Sequence, residues 1–163
     1  MRRSGLGFLL FALAVFAGLY LTRNGLLSRP APDFSLPGTY GGRFDLDSYR
    51  GRPVLLVFWT TSCPICQREL PLLSQLEPSF RSKGVSMLAI NIGGGDEVAD
   101  YLSANGVNLT SVSDSEGSVA RAYSVSGVPK LVLIDPEGKI KRSRSGWTSE
   151  SVLRNWMNAA GGS

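Results

Sequence analysis

Residues 54–71 read VLLVFWTTSCPICQRELP. Within this stretch, Val54–Trp59 is an apolar run without polar alternation, which is typical of a central strand covered on both faces. From Pro64 onward, apolar residues recur at helical spacing, which predicts a long helix. The only two cysteines of the chain, Cys63 and Cys66, therefore lie where a buried strand gives way to a helix.

The rest of the chain alternates between predicted strands and predicted helices. Strands are expected at residues 34–36, 43–46, 54–59, 85–92 and 131–134, and helices at about 64–80, 96–105, 115–123 and from 148 onward. Asp96, Ser115 and Thr148 are the expected N-caps of the last three helices. Such alternation is typical of an α/β fold and predicts a mainly parallel sheet with helices on both faces.

The absence of histidine narrows the possible chemistry. It excludes Ser-His and Cys-His nucleophile pairs, histidine metal ligands and a histidine-ligated haem. The net charge of +4 comes from the amino-terminal segment, where Arg2, Arg3, Arg23 and Arg29 are the only charges before residue 30. Because the remaining chain is neutral overall, the composition does not support nucleic-acid binding.

The amino-terminal segment contains the apolar run GLGFLLFALAVFAGLYL at residues 5–21. As a helix it would span roughly 26 Å, close to the hydrocarbon thickness of a bilayer. No small-residue cleavage site follows it, so a membrane anchor at 1–22 is preferred to a removed signal peptide. The arginines that precede the run favour a cytoplasmic amino terminus. A linker at 23–32 would then lead to a domain at 33–163 outside the cytoplasm.

The two cysteines are predicted to differ in reactivity. Cys63 falls at the start of the helix, where free N–H groups and the helix dipole lower the pKa of a thiol. Cys66 lies one turn further in, where it can attack a mixed disulfide formed on Cys63. A structural zinc site lacks two further ligands. A purely structural disulfide would close too short a loop to stabilise the chain much. Redox chemistry is therefore the favoured interpretation.

These motifs resemble the thioredoxin superfamily, and within it the membrane-anchored thiol-disulfide oxidoreductases of the TlpA/ResA type. The matching segments are APDFSL at 31–36, LDSYRGRPVLLVFW at 46–59, CPICQRELP at 63–71 and SGVPKLVLIDPEGKI at 126–140. The resemblance implies a thioredoxin-like α/β fold with a central mixed sheet flanked by helices. It also implies an enzyme without a cofactor that reduces a client disulfide during cytochrome c maturation and receives electrons from a membrane thiol donor.

The resemblance assigns further residues to the site. It implies a client-binding surface formed by Trp59, Pro64, Ile65, Val128 and Pro129, beside the catalytic cysteines. Pro129 matches the cis-proline that lies against the C-x-x-C motif in this superfamily. Taken alone, a proline in this sequence context would be expected to be trans.

Glu69 is the third predicted catalytic residue. It lies three positions after Cys66, where the TlpA/ResA subfamily carries a glutamate tied to cysteine reactivity. Helical spacing independently places it between Ile65 and Leu73 on the apolar stripe of the helix. Burial there would raise the pKa of the carboxyl and allow it to exchange protons with Cys66. The alternative is an ordinary solvated glutamate at the edge of the stripe.

Some features leave the client and the reaction open. Lys130 follows Pro129 where threonine is common in the family, which adds a positive charge near the site. Thr60, three residues before Cys63, also fits a peroxiredoxin-like thiol peroxidase, but the proline expected seven residues before the reactive cysteine is Leu56. The methylamine-utilisation thioredoxin-like proteins, which also carry Cys-Pro-x-Cys, are a further alternative.

Overall fold

The computed structural model describes residues 29–95 and 97–160, together with the single residue Val15. Apart from Val15, the predicted anchor at 5–21 lies outside the described residues, as does the predicted N-cap Asp96. Within the described ranges, no helix is both long enough and apolar enough to cross a membrane.

The described strands form a two-stranded sheet and a five-stranded sheet. They are β1 Ser35–Pro37, β2 Arg43–Asp45, β3 Val54–Trp59, β4 Ser86–Ile92, β5 Ser111–Asp114, β6 Lys130–Ile134 and β7 Ile140–Ser145. The larger sheet has the order β5-β4-β3-β6-β7, in which β3, β4 and β5 are parallel and β6 and β7 are antiparallel to their neighbours. The mixed sheet is therefore confirmed. The expectation of a mainly parallel sheet is wrong, because β6 and β7 form a hairpin beside β3.

Four α-helices flank the sheet in the described part of the chain. They are α1 Pro64–Ser82, α2 Glu97–Ala104, α3 Ser118–Ala122 and α4 Glu150–Ala160, and a short 3₁₀ helix spans Leu46–Tyr49. The predicted helices at these places are confirmed, and α1 follows directly from β3 through Cys63.

Two predicted helix caps are wrong. The helix α3 begins at Ser118 rather than near Ser115, and the carboxylate of Asp114 accepts hydrogen bonds from its first N–H groups, including that of Ala120 at 2.8 Å. The helix α4 begins at Glu150, whereas a helix capped by Thr148 would begin at residue 149. The hydroxyl of Thr148 instead donates to the carbonyl of Gly146 at 3.4 Å.

The strand β3 forms the centre of two hydrophobic layers. Its residues are all buried, as the apolar run predicts. Leu55, Val57 and Trp59 pack toward α1, α2 and α4, whereas Leu56 and Phe58 pack toward α3 and the two-stranded sheet. Burial on both faces makes β3 a rigid support, and the C-x-x-C motif lies at its carboxyl end.

Residues 29–31 contact the opposite end of the sheet. The carbonyl of Arg29 accepts a hydrogen bond from Ile140, and the N–H of Ala31 donates to the carbonyl of Gly138, both at 2.9 Å. These contacts lie at the β6–β7 turn, beside the residue where β3 begins. The length of β3, about 20 Å at 3.3 Å per residue, therefore separates the entry of the chain from the cysteines.

Candidate active site

Cys63 and Cys66 are joined by a disulfide at the start of α1, with their Cα atoms 5.2 Å apart. Cys63 is the N-cap residue and Pro64 occupies the first turn, where its missing N–H has no cost. The N–H of Cys66 points at Sγ of Cys63 from 3.1 Å. A backbone donor and the positive end of the helix dipole thus both face this sulfur, an arrangement that stabilises a thiolate in the reduced protein.

The two sulfurs differ in access to solvent. Cys63 is half-buried, whereas Cys66 is fully buried in the core beneath α1. A client disulfide can therefore approach Cys63 but not Cys66. This asymmetry agrees with the predicted order of attack.

The loop before β6 lies against the outer sulfur. The Val128–Pro129 peptide bond is cis, as the resemblance implies. The carbonyl oxygen of Val128 lies 3.7 Å from Sγ of Cys63. The carbonyl of Pro129 accepts a hydrogen bond from the N–H of Gly146 at 2.8 Å, which ties the loop to the end of β7. Residues 65 positions apart in sequence thus form one surface.

Lys130 holds the same loop from the other side. Its ammonium group donates hydrogen bonds to the carbonyls of Tyr123 at 2.9 Å and Ser124 at 2.8 Å. Burial and the charge of Arg29 lower the pKa of Lys130. The positive charge expected beside the site is therefore directed at the carboxyl end of α3, where it also complements the helix dipole.

Glu69 lies one turn beyond Cys66, and its side chain has no exposed surface. Its Oε1 accepts a hydrogen bond from the backbone N–H of Thr148 at 2.7 Å, and Oε2 has no partner among the described residues. Burial raises the pKa of Glu69 from 4.5 to about 7, although the Thr148 hydrogen bonds and the charge of Arg144 act in the opposite direction. The expected burial is confirmed, and the solvated alternative is wrong.

The other predicted site residues occupy different depths. Pro64 and Ile65 are exposed, Val128 is half-buried and Pro129 is buried. Trp59 has no exposed surface and packs on Tyr101, with the ring centroids 5.5 Å apart. The tryptophan therefore lies beneath the disulfide and can influence a client only through the packing of its neighbours.

Sequence reasoning missed two features of this site. Thr148, expected to cap α4, instead provides the backbone donor for Glu69. Trp147, which precedes it, is 42% exposed, and the guanidinium of Arg68 lies 5.6 Å from the centre of its ring. No local pattern identifies either contact, because α1 and the segment after β7 meet only in the folded chain. Among the described residues, no group of three or more Cys, Asp or Glu side chains is placed to hold a metal ion.

Comparison with known proteins identifies the family. Residues 27–143 match the AhpC/TSA family. The chain belongs to this family. It is 37% identical over 146 residues to the thiol-disulfide oxidoreductase ResA of Bacillus subtilis. The aligned residues are 89% of this chain and 80% of that protein. ResA of Geobacillus kaustophilus is 36% identical over 127 residues, which are 77% of this chain and 73% of the relative.

Solved structures show the same fold. A DsbE-type thiol:disulfide interchange protein from Chlorobium tepidum superposes with a TM-score of 0.77 at 30% identity, covering 83% of this chain and 97% of that one. A secreted disulfide oxidoreductase of Mycobacterium tuberculosis, homologous to DsbE of Escherichia coli, gives 0.70 at 26% identity, covering 77% and 95% of the two chains. The fold is thioredoxin-like. The protein is a thiol-disulfide oxidoreductase whose redox-active pair is Cys63 and Cys66, and its partners are clients that carry thiols or disulfides.

Proposed function

We propose that this protein reduces disulfides of client proteins outside the cytoplasm, with apocytochrome c as the client class. Residues 1–22 would form the membrane anchor, 23–32 the linker and 33–163 the catalytic domain. One observation carries the proposal: Cys63 is accessible at a helix start beside the Val128 carbonyl, while Cys66 and Glu69 are buried behind it. Because residues 29–31 contact the far end of the sheet, an anchored domain would direct its disulfide away from the bilayer.

The reaction begins with the reduced protein. The thiolate of Cys63 forms a bond to one client sulfur while the client S–S bond breaks, and the second client sulfur leaves as a thiolate that takes a proton. The thiolate of Cys66 then attacks Sγ of Cys63 and releases the first client sulfur, which is also protonated. The client gains two electrons, and the protein ends with the Cys63–Cys66 disulfide.

Glu69 would control the second step. A buried thiol such as Cys66 must lose its proton before it can attack, and burial raises the pKa of a thiol. A neighbouring carboxyl with a pKa of about 7 can accept that proton near neutral pH. Because the thiols and the carboxyl interact, their titrations belong to the group rather than to single residues.

The predicted direction of electron flow is reductive. The positive group that faces Sγ of Cys63 directly is the helix start, because the Lys130 ammonium is directed at two backbone carbonyls instead. Glu69 disfavours further negative charge at the thiols. A couple with so little thiolate stabilisation is reducing, so a membrane thiol donor would have to regenerate it.

The reduction potential tests this direction. The full chain in detergent is equilibrated with glutathione buffers, and the reduced fraction is measured by alkylation. A potential approaching the about −270 mV of thioredoxin is expected. A potential near the about −120 mV of a strong oxidant would contradict the proposal.

A trapping experiment tests the client. A Cys66→Ser variant should retain clients as mixed disulfides on Cys63, which can be released by reductant and identified by mass spectrometry. The matched control is Cys63→Ser, which lacks the exposed nucleophile and should retain none. Capture of c-type apocytochromes is expected. Capture restricted to other proteins, such as methylamine-utilisation enzymes, would reassign the client, and consumption of hydrogen peroxide at a catalytic rate would favour the peroxidase alternative.

A further inference from the structure

Two exposed apolar side chains lie beside the disulfide. Ile65, between the cysteines, is 44% exposed, and Trp147 is 42% exposed. Trp147 is held close to α1, because the next residue, Thr148, donates its N–H to the buried Glu69. Large exposed apolar groups next to a reactive centre are typical of a surface that contacts a partner.

Arg68 connects these two side chains. It follows Ile65 by three residues on α1, so both project from the same side of the helix. Its guanidinium lies 5.6 Å from the centre of the Trp147 ring, a distance that allows a cation–π contact. We refer to Ile65, Arg68 and Trp147 together as the Arg68 patch. The contact favours this orientation of the ring, which reduces the ordering that a client would have to impose on binding.

The charge around the patch is positive. Neither Arg68 nor Arg144 forms an ion pair within residues 29–95 and 97–160. The acidic groups nearest in sequence are already engaged: Glu69 is buried against Thr148, and Glu150 pairs with Arg154 at 2.7 Å. A client carboxylate would therefore be attracted to these two arginines, whereas a client cation would be repelled.

We propose that the Arg68 patch binds the client segment next to the cysteine attacked by Cys63, and selects an apolar or aromatic side chain accompanied by a carboxylate. This inference rests on the proposed function as a disulfide reductase. From Cys63 to Arg68 is about 8 Å along the helix axis, a distance that two or three extended client residues span. The selected side chains would thus lie two or three positions from the attacked cysteine.

The test uses the full chain in detergent, reduced beforehand and freed of reductant. Its substrates are peptides closed by one internal disulfide. Their sequences are identical except for the residues two and three positions from the attacked cysteine. The four pairs compared are Phe-Asp, Ala-Asp, Phe-Lys and Ala-Ala, and bis(2-hydroxyethyl) disulfide serves as a neutral disulfide without flanking residues. The second-order rate constant of reduction is measured for each.

The wild-type protein should reduce the Phe-Asp peptide about fivefold to tenfold faster than the Ala-Ala peptide, because aromatic and charged contacts of this kind are each modest. Trp147→Ala should abolish the preference for the Phe-Asp peptide over the Ala-Asp peptide. Arg68→Gln should abolish the preference for the Phe-Asp peptide over the Phe-Lys peptide. Reduction of bis(2-hydroxyethyl) disulfide should be unchanged in both variants. Trp147→Phe, which keeps a ring at this position, should restore most of the aromatic preference.

Tyr40→Ala is the matched control. Tyr40 is also an exposed aromatic residue, at 65%, but its loop contacts β5 at one edge of the sheet, whereas Trp147 follows β7 at the other. This variant should behave as the wild type toward all peptides.

Two results would overturn the inference while leaving the proposed function intact. The first is equal reduction of the four peptides by the wild type. The second is a Trp147→Ala variant in which reduction of bis(2-hydroxyethyl) disulfide is slowed as much as reduction of the peptides, since the tryptophan would then act on the disulfide itself through Thr148 and Glu69. Inactivity of the wild type toward every disulfide, bis(2-hydroxyethyl) disulfide included, would overturn the proposed function and the inference with it.

Discussion

Replacing Glu69 by glutamine should stabilise the oxidised protein at alkaline pH and change little near pH 4. The carboxyl is fully buried, and burial raises its pKa from 4.5 to about 7. Glutamine has nearly the same shape but never ionises. Its carbonyl oxygen can also accept the Thr148 N–H bond that Oε1 accepts at 2.7 Å. The substitution therefore removes the buried charge without removing the hydrogen bond.

The sign follows from proton linkage. Between pH 4.5 and about 7, folded Glu69 holds a proton that the unfolded chain has already released, so the free energy of unfolding falls as the pH rises. The full difference between these pKa values corresponds to about 3 kcal/mol. The Glu69→Gln variant escapes this loss. Its advantage over the wild type should grow from near zero at pH 4 to about 3 kcal/mol at pH 8.

Urea titrations at several pH values between 4 and 8.5 measure this difference. The disulfide is kept intact, so that no thiol titrates, and the fluorescence of the buried Trp59 and Trp156 reports unfolding. The control is Glu77→Gln, which alters a partly exposed carboxylate on the same helix. Its effect should stay within about 0.5 kcal/mol at every pH, as is usual for surface substitutions. A difference between Glu69→Gln and the wild type that does not depend on pH would refute the reasoning.

Three further predictions follow from individual contacts. In the reduced protein, iodoacetamide should modify Cys63 before Cys66, because only Cys63 is accessible; peptide mass spectrometry reads the order, and the reverse order would contradict the site geometry. Lys130→Met should speed amide hydrogen exchange in the loop at residues 123–129, because two backbone carbonyls lose their donor; unchanged exchange would argue against this role. Asp114→Ala should lower the free energy of unfolding by about 1–2 kcal/mol, because the buried N–H groups at the start of α3 lose their acceptor. The control is Ser115→Ala, at the position that the sequence predicts as the cap of this helix, and it should have a smaller effect.

The central part of the site could be predicted from the sequence because its signals are local. An uninterrupted apolar run is buried wherever the chain folds, so Val54–Trp59 identifies the central strand without knowledge of its neighbours. Helical spacing after Pro64 is equally local, and it places Cys63 at a helix start and Glu69 on the buried side of α1. These short-range patterns identify the redox pair, predict the order in which the two cysteines react, and place the carboxyl in the core.

The partners of these residues were decided only by the tertiary structure. Glu69 receives its hydrogen bond from Thr148, 79 residues away, and Trp147 meets Arg68 across the same gap in sequence. The start of α3 is bonded to Asp114 rather than Ser115 because the end of β5 brings the carboxylate beneath the helix. Contacts between distant segments depend on which strands pair and in what register, and they leave no periodicity in the chain. The reactive atoms are thus a local property of this sequence, whereas their environment is a property of the folded sheet.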